Sequence, residues 1–108
     1  MINFKNILTT FCVITFSNSL ISQGNTKLAQ ADLLFNQYSY AKAINAYKGL
    51  KDKDNVHVKR QISEAYFKTM NYDSASVWFK KVIDSKQANA VDYYHYSEVL
   101  TAYSATSI

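Results

Sequence analysis

The sequence predicts an all-α fold built from antiparallel pairs of helices. Its 108 residues contain no proline and only two glycines, Gly24 and Gly49, whereas average usage would give about five prolines and seven glycines. A chain so poor in turn residues does not favour a sandwich or barrel of many short strands. Aliphatic, aromatic and cysteine residues make up 48% of the chain, which is enough to build a core. The remaining observation is an internal repeat.

Residues 31–50 align without gaps with residues 63–82, at an offset of 32 residues. The alignment matches small residues with small residues and aromatic residues with aromatic ones. The matched pairs are Ala31 with Ser63, Phe35 with Phe67, Tyr40 with Tyr72, Ala43 with Ala75, Tyr47 with Phe79, and Leu50 with Val82. A third copy begins at 97–100 and parallels residues 63–66. Periods of about 20–50 residues are typical of solenoids built from repeated units.

The repeat divides the chain into five predicted helices. The first copy gives helices over 25–37 and 40–51, the second gives 56–69 and 72–86, and the start of the third gives 90–104. Apolar residues at steps of three and four place one face of the third helix in the core, namely Val58, Ile62, Ala65, Tyr66 and Thr69. Polar residues that can cap the free N–H groups precede four of the helices: Ser39, Asn55, Asn71 and Asn89. Because the connections are short, successive helices should be antiparallel.

On these residues the sequence resembles the tetratricopeptide repeat (TPR), a helix–turn–helix unit of about 34 residues, over residues 24–104. The resemblance implies a right-handed α-solenoid with repeats at about 24–55 and 56–89 and a partial repeat at 90–108. It implies that Ala43 and Ala75 are small so that paired helices approach closely. It also implies that Tyr40 and Tyr72 fill the gap between paired helices, and that Tyr47 and Phe79 wedge into the next hairpin. The proline that usually closes such a repeat is absent.

Residues 1–22 have the three-part order of a secretory signal peptide. Lys5 supplies a positive charge, residues 7–16 are apolar or threonine, and serine and asparagine follow. The apolar stretch is shorter than the roughly 20 residues that a membrane span needs, so a membrane anchor and an N-terminal core helix are the weaker alternatives. We expect cleavage after Ser22, which leaves a domain of residues 23–108 without cysteine, because Cys12 is the chain's one cysteine.

No constellation of catalytic or metal-binding residues is visible. The two histidines, His57 and His95, fall at unequal positions of different repeats, and we expect both on the surface or at the rim of a groove. Residues 52–55 begin like a calcium loop but lack its glycine and its final glutamate. The formal charge of +4 comes from scattered residues, and eleven of the twelve basic ones are lysines, a poor composition for reading bases. We therefore expect no catalysis, cofactor, metal or nucleic-acid partner.

The TPR resemblance implies that the first helix of each repeat lines a concave surface. The candidate binding residues on that surface are Asp32, Phe35, Asn36, Arg60, Glu64, Phe67, Lys68, Tyr94 and Glu98. An aromatic strip flanked by charges can dock a peptide or a neighbouring helix. In the alternative interpretation, Phe35 and Phe67 belong to the core between repeats.

A signal-like segment followed at once by such repeats, and ending in the stretch 91–100, resembles the start of large OmpA-family cell-envelope proteins. The resemblance implies a periplasmic or outer-membrane-associated interaction scaffold, of which this chain is the N-terminal fragment. The alternative is a complete small periplasmic adaptor capped by its last helix. A cap should be polar outside, whereas residues 93–96 with Val99, Leu100 and Tyr103 are largely apolar. Because the members of the run 93–96 point in different directions on a helix, we expect at most two of them to pack onto Val82 and Phe79. We expect the face with Val99, Leu100 and Tyr103 to be uncovered, and the chain to be weakly stable, to self-associate through residues 90–104, or both.

Overall fold

The computed structural model describes residues 23–52 and 54–106. These residues form five helices and no strand, which confirms the all-α prediction. The helices are α1 (Gln23–Asn36), α2 (Tyr40–Lys48), α3 (Val56–Lys68), α4 (Tyr72–Asp84) and α5 (Ala90–Thr106). No helix within this part of the chain has both the length and the apolar character needed to cross a membrane. The predicted signal segment, residues 1–22, lies outside the described residues.

The helices begin within two residues of where the sequence predicts them, but two of them end two or three residues earlier than predicted. α2 stops at Lys48 and not at residue 51, because the N–H groups of Gly49 and Leu50 turn back onto the last carbonyls of the helix. α4 stops at Asp84 and not at residue 86, where Lys86 adopts a left-handed φ of 61°. A residue in that region commonly ends a helix.

Each helix packs mainly against its neighbours along the chain, α1 on α2, α2 on α3, α3 on α4 and α4 on α5. Connections of three residues, 37–39 and 69–71, join α1 to α2 and α3 to α4. Turns this short make the joined helices antiparallel. The described chain is therefore two helical hairpins followed by α5.

Both hairpins turn with the same hydrogen-bonded motif. In the first turn, the Ser39 N–H donates to the Leu34 carbonyl at 2.9 Å, and Tyr38 has a φ of 62°. In the second turn, the Asn71 N–H donates to the Tyr66 carbonyl at 2.9 Å, and Met70 has a φ of 63°. This bond pattern is the Schellman motif, which ends a helix with one left-handed residue, usually glycine. Here a tyrosine and a methionine occupy that position.

The core consists of two clusters of buried side chains. The first lies among α1, α2 and α3 and contains Ala31, Ala43, Tyr47, Val58 and Ile62. The second lies among α4 and α5 and contains Ala75, Phe79 and Val99, and the half-buried Tyr66 of α3 packs against both clusters. The predicted buried face of α3 is confirmed for Val58, Ile62 and Ala65.

Three of the four predicted caps are present, and the one at Ser39 is wrong. Asn55 Oδ1 accepts from the His57 N–H at 2.8 Å, and Asn71 Oδ1 accepts from the Ser74 N–H at 3.4 Å. Ser39 makes no such bond, although its backbone angles nearly equal those of Asn71. The fourth cap, Asn89, belongs to the site described below.

The packing of α5 corrects one expectation and confirms another. Val99 is completely buried against α4, so the prediction that it lies on an uncovered face is wrong. It sits one turn beyond His95 and Tyr96, on the side of α5 that faces Phe79. Of the aromatic run 93–96, only His95 and Tyr96 contact Phe79, as predicted, and Tyr93 is 55% exposed.

The tryptophan lies where the two hairpins meet. Trp78 belongs to α4 and is half-buried against the first core cluster. The ammonium group of Lys81, one turn further along α4, lies 4.0 Å from the centre of its ring. Lys48, at the end of α2, lies 5.6 Å from the same ring and donates a hydrogen bond of 2.7 Å to the Tyr66 hydroxyl. The contact with Lys48 links the first hairpin to the second.

Candidate functional site

A strip of charged and imidazole side chains crosses α1, α3 and α5, the helices that the repeat places first in each unit. We call it the junction strip, and its members are Asp32, His57, Arg60, Glu64, Asp92 and His95. The three members on α3 are spaced three and four residues apart, so they lie along one face of that helix. Each member pairs with a member on a neighbouring first helix.

The first junction joins α1 to α3. His57 Nε2 lies 2.9 Å from Asp32 Oδ1, and the Tyr47 hydroxyl of α2 donates a hydrogen bond to the same oxygen. The side chains of Asp32 and His57 are 34% and 43% exposed, whereas Tyr47 is completely buried. Burial, together with the hydrogen bond to Asp32, raises the pKa of Tyr47. The phenol therefore keeps its proton at physiological pH and serves as a donor.

The second junction joins α3 to α5 with the same kinds of chemical group. His95 Nδ1 and Glu64 Oε1 form a hydrogen bond. The ring of His95 stands edge-on to the buried ring of Phe79, with centroids 6.4 Å apart. In the first junction the ring of His57 stands edge-on to Tyr47 at 6.5 Å. Each junction thus combines a carboxylate, an imidazole and a buried aromatic ring. We call Asp32–His57 and Glu64–His95 the junction pairs.

A bidentate ion pair fastens α5 to α3 beside the second junction. Arg60 Nε lies 2.6 Å from Asp92 Oδ1, and Arg60 Nη2 lies 2.6 Å from Asp92 Oδ2. Asn89 and Asp92 form a reciprocal capping box at the start of α5, with both bonds at 2.9 Å. Burial alone would raise the pKa of Asp92, but the hydrogen bonds from Arg60 and the Asn89 N–H, with nearby positive charge, hold it below its usual value. Asp92 is therefore a buried, ionised and fully paired carboxylate.

The residues predicted to bind fall into three groups. Asp32, Arg60 and Glu64 belong to the junction strip. Phe35 and Phe67 are half-buried against the second helix of their own hairpin, with ring centroids 5.4 Å from Tyr40 and 5.8 Å from Tyr72. Asn36, Lys68 and Tyr94 are exposed, and Glu98 is half-buried. The structure brings together three of the five charged members of the set, and the phenylalanines lie in the packing within each hairpin.

The predicted binding set lacks three members of the strip: Asp92, and the two histidines His57 and His95, which the sequence placed only on the surface or at the rim of a groove. Asp92 could have been found, because an asparagine three residues before an aspartate is a capping-box spacing. The histidines were hidden because they stand at different positions of their repeats. His95 lies about one turn further from the start of α5 than His57 lies from the start of α3. Only the packing shows that both reach a carboxylate of the preceding repeat.

The side-chain contacts of the strip join each first helix to the next. In the described part of the chain, no hydroxyl or thiol hydrogen-bonds to the second ring nitrogen of either histidine. The same part of the chain contains no group of three or more histidine, cysteine, aspartate or glutamate side chains that could hold a metal ion.

An open cleft of about 790 Å³ lies at the other end of the first hairpin, between the start of α1 and the segment that joins α2 to α3. Leu28, Leu50 and Val58 contribute its apolar surface, and Lys27, Lys51 and Asp52 contribute charged groups. None of the predicted binding residues lines it.

Comparison with known proteins gives no family assignment. Scans against protein-family models and searches of curated proteins and of solved structures found no match.

Proposed function

We propose that this protein is a TPR-type interaction scaffold, a right-handed α-solenoid that holds a protein or peptide partner on its first helices without catalysis. One observation carries the proposal. At an offset of 32 residues, the two hairpins bury equivalent side chains completely: Ala31 and Ser63, Ala43 and Ala75, Tyr47 and Phe79. A chain that repeats its packing in this way extends by adding units side by side. Scaffolds of this type bind through an extended surface.

The junction strip supports a binding role for the first helices. In each of its pairs, a charged or imidazole side chain of one first helix contacts a side chain of the next first helix. These contacts hold α1, α3 and α5 at a fixed spacing. Exposed side chains on these helices, Asn36, Lys68 and Tyr94, remain accessible to a partner. Tyrosine is enriched at protein interfaces because its ring is apolar and its hydroxyl can hydrogen-bond.

Site-specific photocrosslinking tests the binding surface. A photoreactive amino acid replaces Lys68 or Tyr94 on the first helices, and matched variants carry it at Lys42 or Lys81, exposed positions of the second helices. The proposal expects adducts with one partner from the first-helix positions and little or none from the second-helix positions. Adducts of equal yield from both sets, or from the second-helix positions only, would contradict it. Circular dichroism of each variant establishes that the fold is kept.

The proposal also includes export through the inner membrane into the periplasm of a Gram-negative cell, as the resemblance to OmpA-family envelope proteins implies. The order of charge, apolar run and polar residues in 1–22 supports it. Mass spectrometry of the chain expressed with its own N-terminus measures the outcome. We expect loss of about the first 22 residues and recovery from the periplasmic fraction. An intact chain in the inner membrane would contradict export.

A second candidate role is self-association through α5. α5 exposes Tyr93 and Leu100 at 55% and 42%, and these two residues lie on one side of the helix because they are seven residues apart. Contiguous exposed apolar side chains often mark an interaction surface. Sedimentation of the wild type and of a Tyr93→Ser, Leu100→Gln variant tests the role. We expect the wild type to associate and the variant to be monomeric, and a monomeric wild type at high concentration would exclude this role.

A further inference from the structure

We infer that Tyr94 and Glu98 of α5 form a docking position for one further helix, and that this helix presents a basic side chain to Glu98. The inference rests on the proposed scaffold function and names the chemistry of its partner. In both junction pairs, a carboxylate of one first helix contacts the imidazole of the next first helix. Glu98 is the carboxylate that the repeat places at the same position on α5.

The spacing of the repeats locates the docking position. α3 and α5 begin at residues 56 and 90, so equivalent residues of these two helices are 34 apart. Arg60 and Glu64 are the side chains of α3 that contact α5. At the same offset, Tyr94 is the equivalent of Arg60. Glu98 is likewise the equivalent of Glu64. The two residues of α5 therefore stand at the positions from which a first helix meets the next one.

Glu98 differs from the carboxylates of the junction strip in its contacts. Within residues 23–52 and 54–106, it forms no hydrogen bond or ion pair. It is nevertheless half-buried. Tyr94 lies four residues earlier, on the same side of α5, and is 61% exposed. The position thus combines a hydrogen-bond acceptor with an accessible aromatic ring.

The charge of the position indicates which side chain the helix should bring. At the contacts between α3 and α5, Glu64 meets His95. In the same interface Asp92 meets Arg60. A helix that covered Glu98 without a donor would bury a carboxylate that has no partner, which is unfavourable. A basic side chain supplies both the donor and the opposite charge, and it continues the interface that already joins α1, α3 and α5.

The docking position is separate from the side of α5 that exposes Leu100. Leu100 follows Glu98 by two residues, which turns it about 200° around the helix axis. A helix docked at Glu98 would therefore leave the candidate self-association surface free.

A synthetic hairpin peptide tests the docking position on the full chain. The peptide has the sequence of residues 56–84, which in the fold packs its first helix against α1 and α2. One version carries His57→Arg, because a guanidinium stays charged at any working pH, and the matched version carries His57→Gln. Fluorescence anisotropy of the labelled peptides measures their affinity for the wild type. We expect the arginine version to bind about two- to fivefold more tightly, as for partly exposed ion pairs.

Two variants of the full chain assign that preference to Glu98. Glu98→Gln should bind both peptides equally, whereas Asp84→Asn, which changes an exposed carboxylate of α4, should keep the preference. Circular dichroism of each variant establishes that the fold is kept. The inference is overturned if the arginine peptide does not bind saturably, if the wild type binds both peptides equally, or if the preference persists in Glu98→Gln.

Failure of this inference can be told apart from failure of the scaffold function. Photocrosslinking from Lys68 does not involve Glu98 or the peptide. Adducts from Lys68 without the expected peptide binding would refute the docking position and leave the scaffold function standing. Adducts from the second-helix positions only would contradict the scaffold function itself.

Discussion

Arg60 and Asp92 meet in a two-point contact at 2.6 Å, and only 1% of the Asp92 surface is exposed. The contact joins α3 to α5, which are separated along the chain by the whole of α4. Planar guanidinium and carboxylate groups match in this geometry, and the two parallel bonds fix direction as well as distance. The pair thus sets the position of α5 against the preceding hairpin.

Removal of the arginine should destabilise the protein strongly. In Arg60→Ala, Asp92 stays buried and keeps only its bond from Asn89, so we expect a loss of about 2–4 kcal/mol in the free energy of unfolding. Urea denaturation measures it. Lys80→Ala is the control, because the side chains of Lys80 and its partner Asp84 are both largely exposed, and such pairs contribute under about 1 kcal/mol. Equal losses of unfolding free energy in the two variants would show that the buried pair stabilises the fold no more than an exposed pair does.

Asp92 should also determine part of the acid sensitivity of the fold. Because its pKa is lowered in the folded state, its contribution to stability is complete above the pKa of the unfolded chain. That contribution is lost as pH falls below about 4, the ordinary value for aspartate. Between about pH 5 and pH 2, a range that brackets the ordinary aspartate transition, we expect the free energy of unfolding to fall more in the wild type than in Asp92→Asn. Parallel curves for the two proteins would contradict this assignment.

The fold could be predicted from the sequence because its signals are local. The paired alanines, the aromatic residues at equal spacing and the apolar face of α3 lie within single helices or hairpins, and the structure buries Ala43, Ala75 and Phe79 as expected. The ends of the helices were harder to predict from the sequence. The end of α2 depends on backbone hydrogen bonds of Gly49 and Leu50, and no sequence pattern predicts these bonds.

The candidate site was predicted only in part because its contacts are not local. Asp32, Arg60 and Glu64 were found from their repeat positions. Their partners lie 25 to 32 residues further along the chain, and the choice of partner depends on how one first helix lies against the next. A shift of one helical turn, as between His57 and His95, is invisible to an alignment of repeats.

The close approach of α1 and α2 can be tested with two alanines of the same helix. Ala43 is completely buried, whereas Ala41 is exposed. Ala43→Leu should overpack the first core cluster and cost about 1–3 kcal/mol, and Ala41→Leu should leave stability nearly unchanged. Thermal melting followed by circular dichroism compares them. A melting temperature of Ala43→Leu equal to that of the wild type would mean that this crossing is loose.

The turn between α3 and α4 offers a stabilising substitution. Met70 has a φ of 63° and is 75% exposed. Its left-handed backbone is therefore unfavourable for a residue with a side chain, and burial of that side chain does little to offset the strain. Met70→Gly should relieve that cost and raise stability by about 0.5–1 kcal/mol. Met70→Ala is the control, because it shortens the side chain and keeps the strain. A gain of the same size from alanine would assign the effect to the side chain and not to the backbone.

The position of Trp78 gives this protein an optical signal of its own. The chain has one tryptophan, so its fluorescence comes from a single place. That ring belongs to the second hairpin, but the ammonium group of Lys48 beside it belongs to the first. When the hairpins separate, the ring loses a charged neighbour and gains water, even if every helix remains intact. Emission from Trp78 should therefore follow the docking of the hairpins, while circular dichroism follows the helices, and a difference between the two curves would reveal a partly undocked state.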